Sequence, residues 1–240
     1  MNGLDLFSGI GGLTIALADW VKPIAYCEND RYAQCVLLSR MADDLLPIAP
    51  IWDDVRTLSG SNIGQSKVDI IYGGFPCQDI SFAGDGSGLA GERSKLFYEV
   101  IRLTRDLQPD FVFLENVAAI VVRGLGDVLA AFTECGYDCR WTVNRASELG
   151  APHHRARWWL LAHSNGKRSA CVEKARESQD ALRNNNDAVQ ENVWGKTADS
   201  FLGIPDGIYP RAHRVKSLGN AVVPQQAKKA FQDLMFGETR

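Results

Sequence analysis

The 240-residue sequence predicts a doubly wound α/β fold, in which a mostly parallel sheet carries helices on both faces. Two observations support this class. Short apolar, β-rich runs alternate with segments of helical spacing across residues 1–163. The runs at 68–72 and 110–114 are apolar except for one aspartate each, which is typical of strands buried on both faces of a parallel sheet. A hydrophobic content of 45% in a chain of this length is enough for one core of this kind.

The individual strands and helices follow from local spacing. An apolar run at 3–7 ends in a glycine turn, and a second at 23–27 ends in Glu28-Asn29-Asp30. Together with the two runs above and a run at 158–162, these are the predicted strands. Apolar residues at three- and four-residue intervals predict helices at 13–21, from Tyr32 onward, at 117–135 and at about 224–236.

Residues 164 to about 200 break this pattern. The stretch is polar, contains three consecutive asparagines at 184–186 and has few large apolar side chains. It cannot build a core of its own, so we expect a loop-rich or partly disordered insert. Regular structure is expected to resume from Phe201, before the final helix.

Charge and cysteine usage restrict the classes of function. The formal net charge of −3 gives no support to nucleic-acid binding, although Arg211, Arg214 and Lys216 form one local basic stripe. No apolar run is long enough for a membrane span, and no signal peptide is evident. The six cysteines lack a Cys-x-x-Cys pair, which indicates reduced thiols in a cytoplasmic protein. Only Cys135 and Cys139 are close neighbours, without a nearby His pair, so no metal site is expected.

The first strand runs into a glycine-rich turn, Asp-Leu-Phe-Ser-Gly-Ile-Gly-Gly over residues 5–12. Such a turn lets the backbone approach a ligand closely, and the following helix start offers free amide groups. Glu28, at the end of the second strand, is placed to bind a ribose diol, and Asp54 could accept from an adenine amino group. A tight turn with two surface acids is the alternative interpretation.

Two reactive side chains follow predicted strands. Cys77 lies in Gly-Gly-Phe-Pro-Cys-Gln over residues 73–78, and Glu115 directly follows the strand at 110–114. Open α/β sheets bind ligands at this edge, where Cys77 could act as a nucleophile and Glu115 could have a raised pKa. The alternatives are a buried structural cysteine and an acid at a helix N-terminus.

Two later motifs complete the set. Arg155 and Arg157 fall on one face of a strand, where they need anionic or carbonyl partners. The adjacent histidines before them point apart in extended chain and do not indicate a metal. The segment Gly-Asn-Ala-Val-Val-Pro over residues 219–224 reads alone as a turn that opens the last helix.

In this order, the five motifs resemble those of the cytosine-5 DNA methyltransferase family, over residues 1–163 and about 203–240. The resemblance implies a Rossmann-like fold of the S-adenosylmethionine-dependent methyltransferases. It implies a catalytic and cofactor-binding domain at 1–163, a short target-recognition insert at 164–210 and a segment at 211–240 that returns to the catalytic domain.

The resemblance also implies roles for single residues. Cys77 is the nucleophile, Glu115 the partner of the base, and Arg155 and Arg157 a charged pair around the ring. The implied S-adenosylmethionine ligands are Phe7, Gly9, Gly11, Gly12, Leu13, Glu28, Asn29, Asp54, Val55, Pro76, Asn220 and Ala221. The expected DNA contacts are Gln78, Ser81, Arg211 and Arg214.

The implied activity is methylation of carbon 5 of a flipped-out cytosine in double-stranded DNA, with S-adenosyl-L-methionine as donor and S-adenosyl-L-homocysteine as product. The glycine-rich stretch at 79–94 is expected to close over substrate. Because the recognition region is short, a second subunit is a possible partner, as is a companion restriction endonuclease. The protein is expected in the cytoplasm, on the nucleoid or, if phage-encoded, in the host cell.

Two alternatives stay open. A tRNA cytosine-5 methyltransferase shares the catalytic motifs, but its Cys-Phe-Thr signature is missing after residue 163. A non-catalytic regulator with the same fold is disfavoured because Cys77, Glu115 and both arginines are intact.

Overall fold

The computed structural model describes residues 1–64, 66–76, 96–165 and 219–237. Within these ranges, seven strands form one sheet in the order β3-β2-β1-β4-β5-β7-β6. The strands are β1 (Asn2–Leu6), β2 (Lys22–Cys27), β3 (Ile51–Trp52), β4 (Ile70–Gly74), β5 (Phe111–Val117), β6 (Tyr137–Arg145) and β7 (Ala156–Ser164). The helices are α1 (Gly12–Leu17), α2 (Arg31–Ala42), α3 (Gly60–Ile63), α4 (Leu96–Leu107), α5 (Ile120–Arg123), α6 (Leu125–Glu134) and α7 (Pro224–Phe236).

Strands β1 to β5 are parallel, whereas β7 runs antiparallel to both β5 and β6. The predicted mixed α/β sheet, mostly parallel, is therefore confirmed. The chain first builds outward from β1 to β3 and then returns to place β4 on the other side of β1. This reversal opens a crevice between the carboxyl ends of β1 and β4, where open α/β sheets bind ligands.

Three local predictions need correction. The helix expected at 13–21 ends at Leu17. The single helix expected over 117–135 is two short helices, α5 and α6. The strand β5 continues to Val117, and the backbone leaves the helical conformation at Gly124. Strand β6 was not predicted, since its charged and amide side chains hide the alternation of an edge strand.

The sheet is covered by a hydrophobic layer on each face. One layer contains Phe97, Phe132 and Trp158, and the other joins α1 and α7 to Phe113 and Trp159. Helix α7 thereby packs beside the N-terminal helix α1. Of the described helices, none combines the length and apolar character needed to cross a membrane.

The polar insert and its flanks lie outside the described residues, which skip 166–218. The predicted boundaries at 164–210 and 211–240 therefore remain predictions.

Candidate active site

A cavity of about 720 Å³ lies at the carboxyl edge of the parallel strands. Its wall includes Glu115 and Arg157 together with most of the predicted cofactor ligands, namely Phe7, Gly9, Gly12, Leu13, Glu28, Asn29, Asp54, Val55, Pro76, Asn220 and Ala221. Its volume falls in the range of small-molecule sites, roughly 300–1,000 Å³. The fold thus joins the predicted cofactor and base sites in a single cavity.

The glycine-rich turn after β1 forms one wall through left-handed backbone. Phe7 and Gly11 have φ values of 54° and 84°. A Cβ on Gly11 would come within 2.6 Å of the Leu46 side chain, and one on Gly12 within 3.1 Å of the Val222 carbonyl oxygen. Gly11 does not line the cavity itself, so its contribution is the shape of the turn.

Glu28 is held at the end of β2 by two backbone amides. Its carboxylate accepts hydrogen bonds from the amides of Gly9 and Asp30, each at 2.7 Å. A carboxylate has about four acceptor positions, so two remain for a ligand. This geometry fixes an anionic acceptor at the mouth of the glycine turn, as a ribose diol requires.

The loop after β3, which also lines the cavity, is fastened to neighbouring elements. The Asp54 carboxylate accepts from the Arg56 guanidinium at 2.7 Å, and these hydrogen bonds hold the pKa of Asp54 below its ordinary value. The Val55 carbonyl accepts from Arg102 of α4 at 2.8 Å, and Asn29 donates to the Asp53 carbonyl at 3.2 Å. Asp54 therefore stays an ionised acceptor on a fixed loop.

Glu115 and Arg157 form a buried ion pair at the far side of the cavity. Arg157 Nε lies 2.6 Å from Glu115 Oε1, with the side chains 19% and 12% exposed. Burial raises the pKa of Glu115, while the charges of Arg157 and Arg155 oppose that shift. Glu115 belongs to strand β5 opposite Gly74, so the alternative of a helix N-terminal acid is wrong.

Asn116 was not singled out by sequence reasoning, although it follows Glu115. Its side chain is 1% exposed, and its amide donates to the Phe75 carbonyl at 3.3 Å. This bond ties β5 to Phe75, two residues before Cys77 in the chain. Cys77 itself lies outside the described residues, as do the predicted DNA contacts Gln78, Ser81, Arg211 and Arg214.

Arg155 precedes β7 and has a φ of 22°, so the prediction that it shares a strand face with Arg157 is wrong, and it does not line the cavity. Its guanidinium donates to the carbonyl oxygens of Gly219 at 3.0 Å and Ala221 at 2.6 Å. The two arginines thus have the two kinds of partner expected, a carboxylate for Arg157 and carbonyls for Arg155. A direct role for Arg155 around the base stays a prediction.

A buried polar chain lies beneath the glycine turn. Thr14 donates to the Asp5 carboxylate at 2.6 Å and contacts the Tyr72 hydroxyl at 2.8 Å. Burial raises the pKa of Asp5 to about 7, and the negative charge of Glu28 adds to the shift. Asp5 is fully buried, and it was missed because its position in the motif gives no sign of its burial.

Asp5 makes stability pH-dependent. Because the folded-state pKa is raised above the unfolded value, the native state binds the proton more tightly. The free energy of unfolding should therefore fall as pH rises from about 4 to about 7, by at most about 1.4 kcal/mol per pH unit from this group. We expect Asp5→Asn to flatten this slope in urea unfolding between pH 5 and 7.5. Parallel stability curves for the two proteins would contradict this role.

No group of three or more His, Cys, Asp or Glu side chains in the described ranges could hold a metal ion.

Comparisons with known proteins identify the family of the chain. The family model of the C-5 cytosine-specific DNA methylases matches residues 1–201. The Type II methyltransferase M.CviJI of Paramecium bursaria Chlorella virus IL3A is 31% identical over 236 residues, covering 98% of this chain and 59% of that protein. M.BanI of Aneurinibacillus aneurinilyticus is 29% identical over 168 residues, covering 66% of this chain and 37% of that protein.

Among solved structures, a proposed DNA modification methyltransferase encoded within an E. coli prophage has a TM-score of 0.57 at 26% identity. The match covers 87% of this chain and 56% of that one. The chain thus spans about three-fifths or less of the length of these three similar proteins.

Proposed function

This chain belongs to the C-5 cytosine-specific DNA methylase family, and on that premise we propose that it methylates carbon 5 of a cytosine in double-stranded DNA. The observation that carries the proposal is the shared cavity. Among the residues that line it, Glu28 and the glycine turn follow β2 and β1, whereas Pro76 and the Glu115–Arg157 pair belong to the β4, β5 and β7 side of the sheet. A nucleoside cofactor and a target base could therefore meet there.

The residues of the first side fit S-adenosylmethionine. Glu28 retains acceptor positions for ribose hydroxyls, and Asp54 is an ionised acceptor on the loop after the neighbouring strand β3. A Cβ on Gly12 would lie 3.1 Å from the Val222 carbonyl oxygen, so the late segment packs closely against the glycine turn. When bound, S-adenosylmethionine supplies an electrophilic methyl group carried on its sulfonium sulfur.

The residues of the other side fit activation of the base. The Cys77 thiolate forms a bond to carbon 6 of cytosine, and the electron pair of the 5,6 double bond shifts toward nitrogen 3, where Glu115 delivers its proton. Carbon 5 is then nucleophilic and takes the methyl group with S-adenosylhomocysteine as the leaving group, and the proton on nitrogen 3 returns to Glu115. A base removes the proton from carbon 5, and the thiolate leaves as the double bond re-forms.

The burial of Glu115 supports base flipping. Its side chain is 12% exposed within the cavity, and a cytosine stacked in a duplex could not reach it. The DNA would be held outside the cavity, by Gln78, Ser81, Arg211, Arg214 and the 164–210 insert. The protein would act in the cytoplasm, on the nucleoid or, if phage-encoded, in the host cell. A second subunit would complete recognition of the DNA sequence. A companion endonuclease would give the methylation its biological role.

Methylation is tested in cells and in vitro. Bisulfite sequencing of DNA from cells expressing the chain should reveal protected cytosines within one short sequence context. Purified protein should transfer tritiated methyl groups to duplex DNA containing that context, and not to tRNA. Preferential labelling of tRNA would favour the RNA enzyme, and S-adenosylhomocysteine binding without transfer to either substrate would favour a non-catalytic regulator.

A further inference from the structure

Gln226 is a fully buried amide in the first turn of α7. Its Nε2 donates to the carbonyl oxygen of Asn144 at 3.0 Å and to that of Arg155 at 2.9 Å. These carbonyls belong to the end of β6 and to the residue before β7. One side chain therefore joins the C-terminal helix to both strands at the edge of the sheet that carries the cavity.

The contact is reciprocated by Asn144. The side-chain amide nitrogen of Asn144 donates to the main-chain carbonyl of Gln226 at 3.2 Å. The side-chain oxygen of Asn144 accepts from Trp159 Nε1 at 2.8 Å. Since Trp159 is fully buried in β7, Asn144 has a fixed orientation. The position of α7 along the strands is thus set by directional hydrogen bonds in addition to apolar packing.

Arg155 transmits this position to the cavity. The Gln226 side chain donates to the main-chain carbonyl of Arg155, and the Arg155 guanidinium donates to the carbonyls of Gly219 and Ala221. Ala221 and Val222 line the cavity, and the Val222 carbonyl sits against Gly12 of the glycine turn. The wall at 219–222 is therefore held from both of its ends, by the Arg155 guanidinium and by the start of α7.

We propose that Gln226 is a positioning residue of the cofactor pocket, which sets Arg155 and the 219–222 segment in the place where they close on the cofactor. The proposal rests on the proposed function, because it takes S-adenosylmethionine as the occupant. Gln226 Oε1 has no hydrogen-bond partner within the described part of the chain, so the amide nitrogen carries the effect.

The test compares Gln226→Met, which keeps the length but removes both donors, with Gln225→Met at the exposed neighbouring position. Calorimetry with S-adenosylhomocysteine should give a Kd raised about five- to tenfold for Gln226→Met, since two hydrogen bonds are lost. Steady-state kinetics should show a raised KM for S-adenosylmethionine with kcat nearly unchanged. Gln225→Met should match the wild-type protein in both.

A folded Gln226→Met variant with wild-type Kd, or one in which only the melting temperature and kcat fall, would overturn the positioning role. If that variant does not fold, Gln226→Asn keeps an amide but shortens its reach, and it should raise the Kd by a smaller factor. Wild-type affinity in Gln226→Asn together with an unfolded Gln226→Met would also overturn the role. Failure of the wild-type protein to bind S-adenosylhomocysteine at all would instead refute the proposed function.

Discussion

Glu115→Gln should slow methyl transfer by about 10²- to 10³-fold while leaving S-adenosylhomocysteine affinity within about twofold of wild type. The amide keeps the shape of the carboxyl group but has no acidic proton to give to nitrogen 3. The amide also cannot become the carboxylate that Arg157 Nε, 2.6 Å from Glu115 Oε1, would pair with once the proton has been delivered. The cofactor side should be spared, because the Glu28 carboxylate is held separately, by the amides of Gly9 and Asp30.

Single-turnover transfer from tritiated cofactor measures the first effect, and calorimetry with S-adenosylhomocysteine measures the second. Glu134→Gln is the matched control, because Glu134 is 71% exposed on α6 and does not line the cavity. A loss of cofactor affinity as large as the loss of rate would assign Glu115 to the cofactor site instead of the base.

The strands that hold the site could be predicted because their signal is local. Strands β1, β2, β4 and β5 are short apolar runs, and the glycine turn and Glu28 follow directly after two of them. Strand β6 could not be found in this way. Its polar residues are explained by distant partners, since Arg140 donates to carbonyls at the end of α7 and Asn144 bonds to Gln226 and Trp159.

The site residues divide in the same way, into those with a local signal in the sequence and those whose partners are distant in the chain. The sequence left Glu115 between a strand end and a helix start, and only the pairing of β5 with β4 decides for the strand. Arg155 has its partners 64 and 66 residues away, in a segment that reads alone as a turn. Asp5 and Asn116 stand in the motifs, but their burial depends on packing against Thr14, Tyr72 and the Phe75 carbonyl.

Cys77→Ala should abolish both methyl transfer and the covalent complex with a duplex that contains 5-fluorocytosine. Fluorine at carbon 5 cannot leave as the proton does, so the bond between the nucleophile's sulfur and carbon 6 persists after methylation. Strand β4 and the Asn116 bond to the Phe75 carbonyl fix the chain up to Pro76, which lines the cavity one residue before Cys77. The complex should appear as a shifted band on a denaturing gel for the wild-type protein and be absent for Cys77→Ala.

A second cysteine makes this experiment discriminating, because Cys27 lines the same cavity. Cys27 is buried, and burial together with the charge of Glu28 raises the pKa of its thiol to about 12. Its thiolate is therefore scarce at neutral pH, and a scarce thiolate is a poor nucleophile. Cys27→Ala should keep the covalent complex, with mass spectrometry locating the modified base on the peptide that contains Cys77. A complex that survives Cys77→Ala and disappears in Cys27→Ala would identify Cys27 of β2 as the nucleophile. The proposed assignment of Cys77 and of the base side of the cavity would then be wrong.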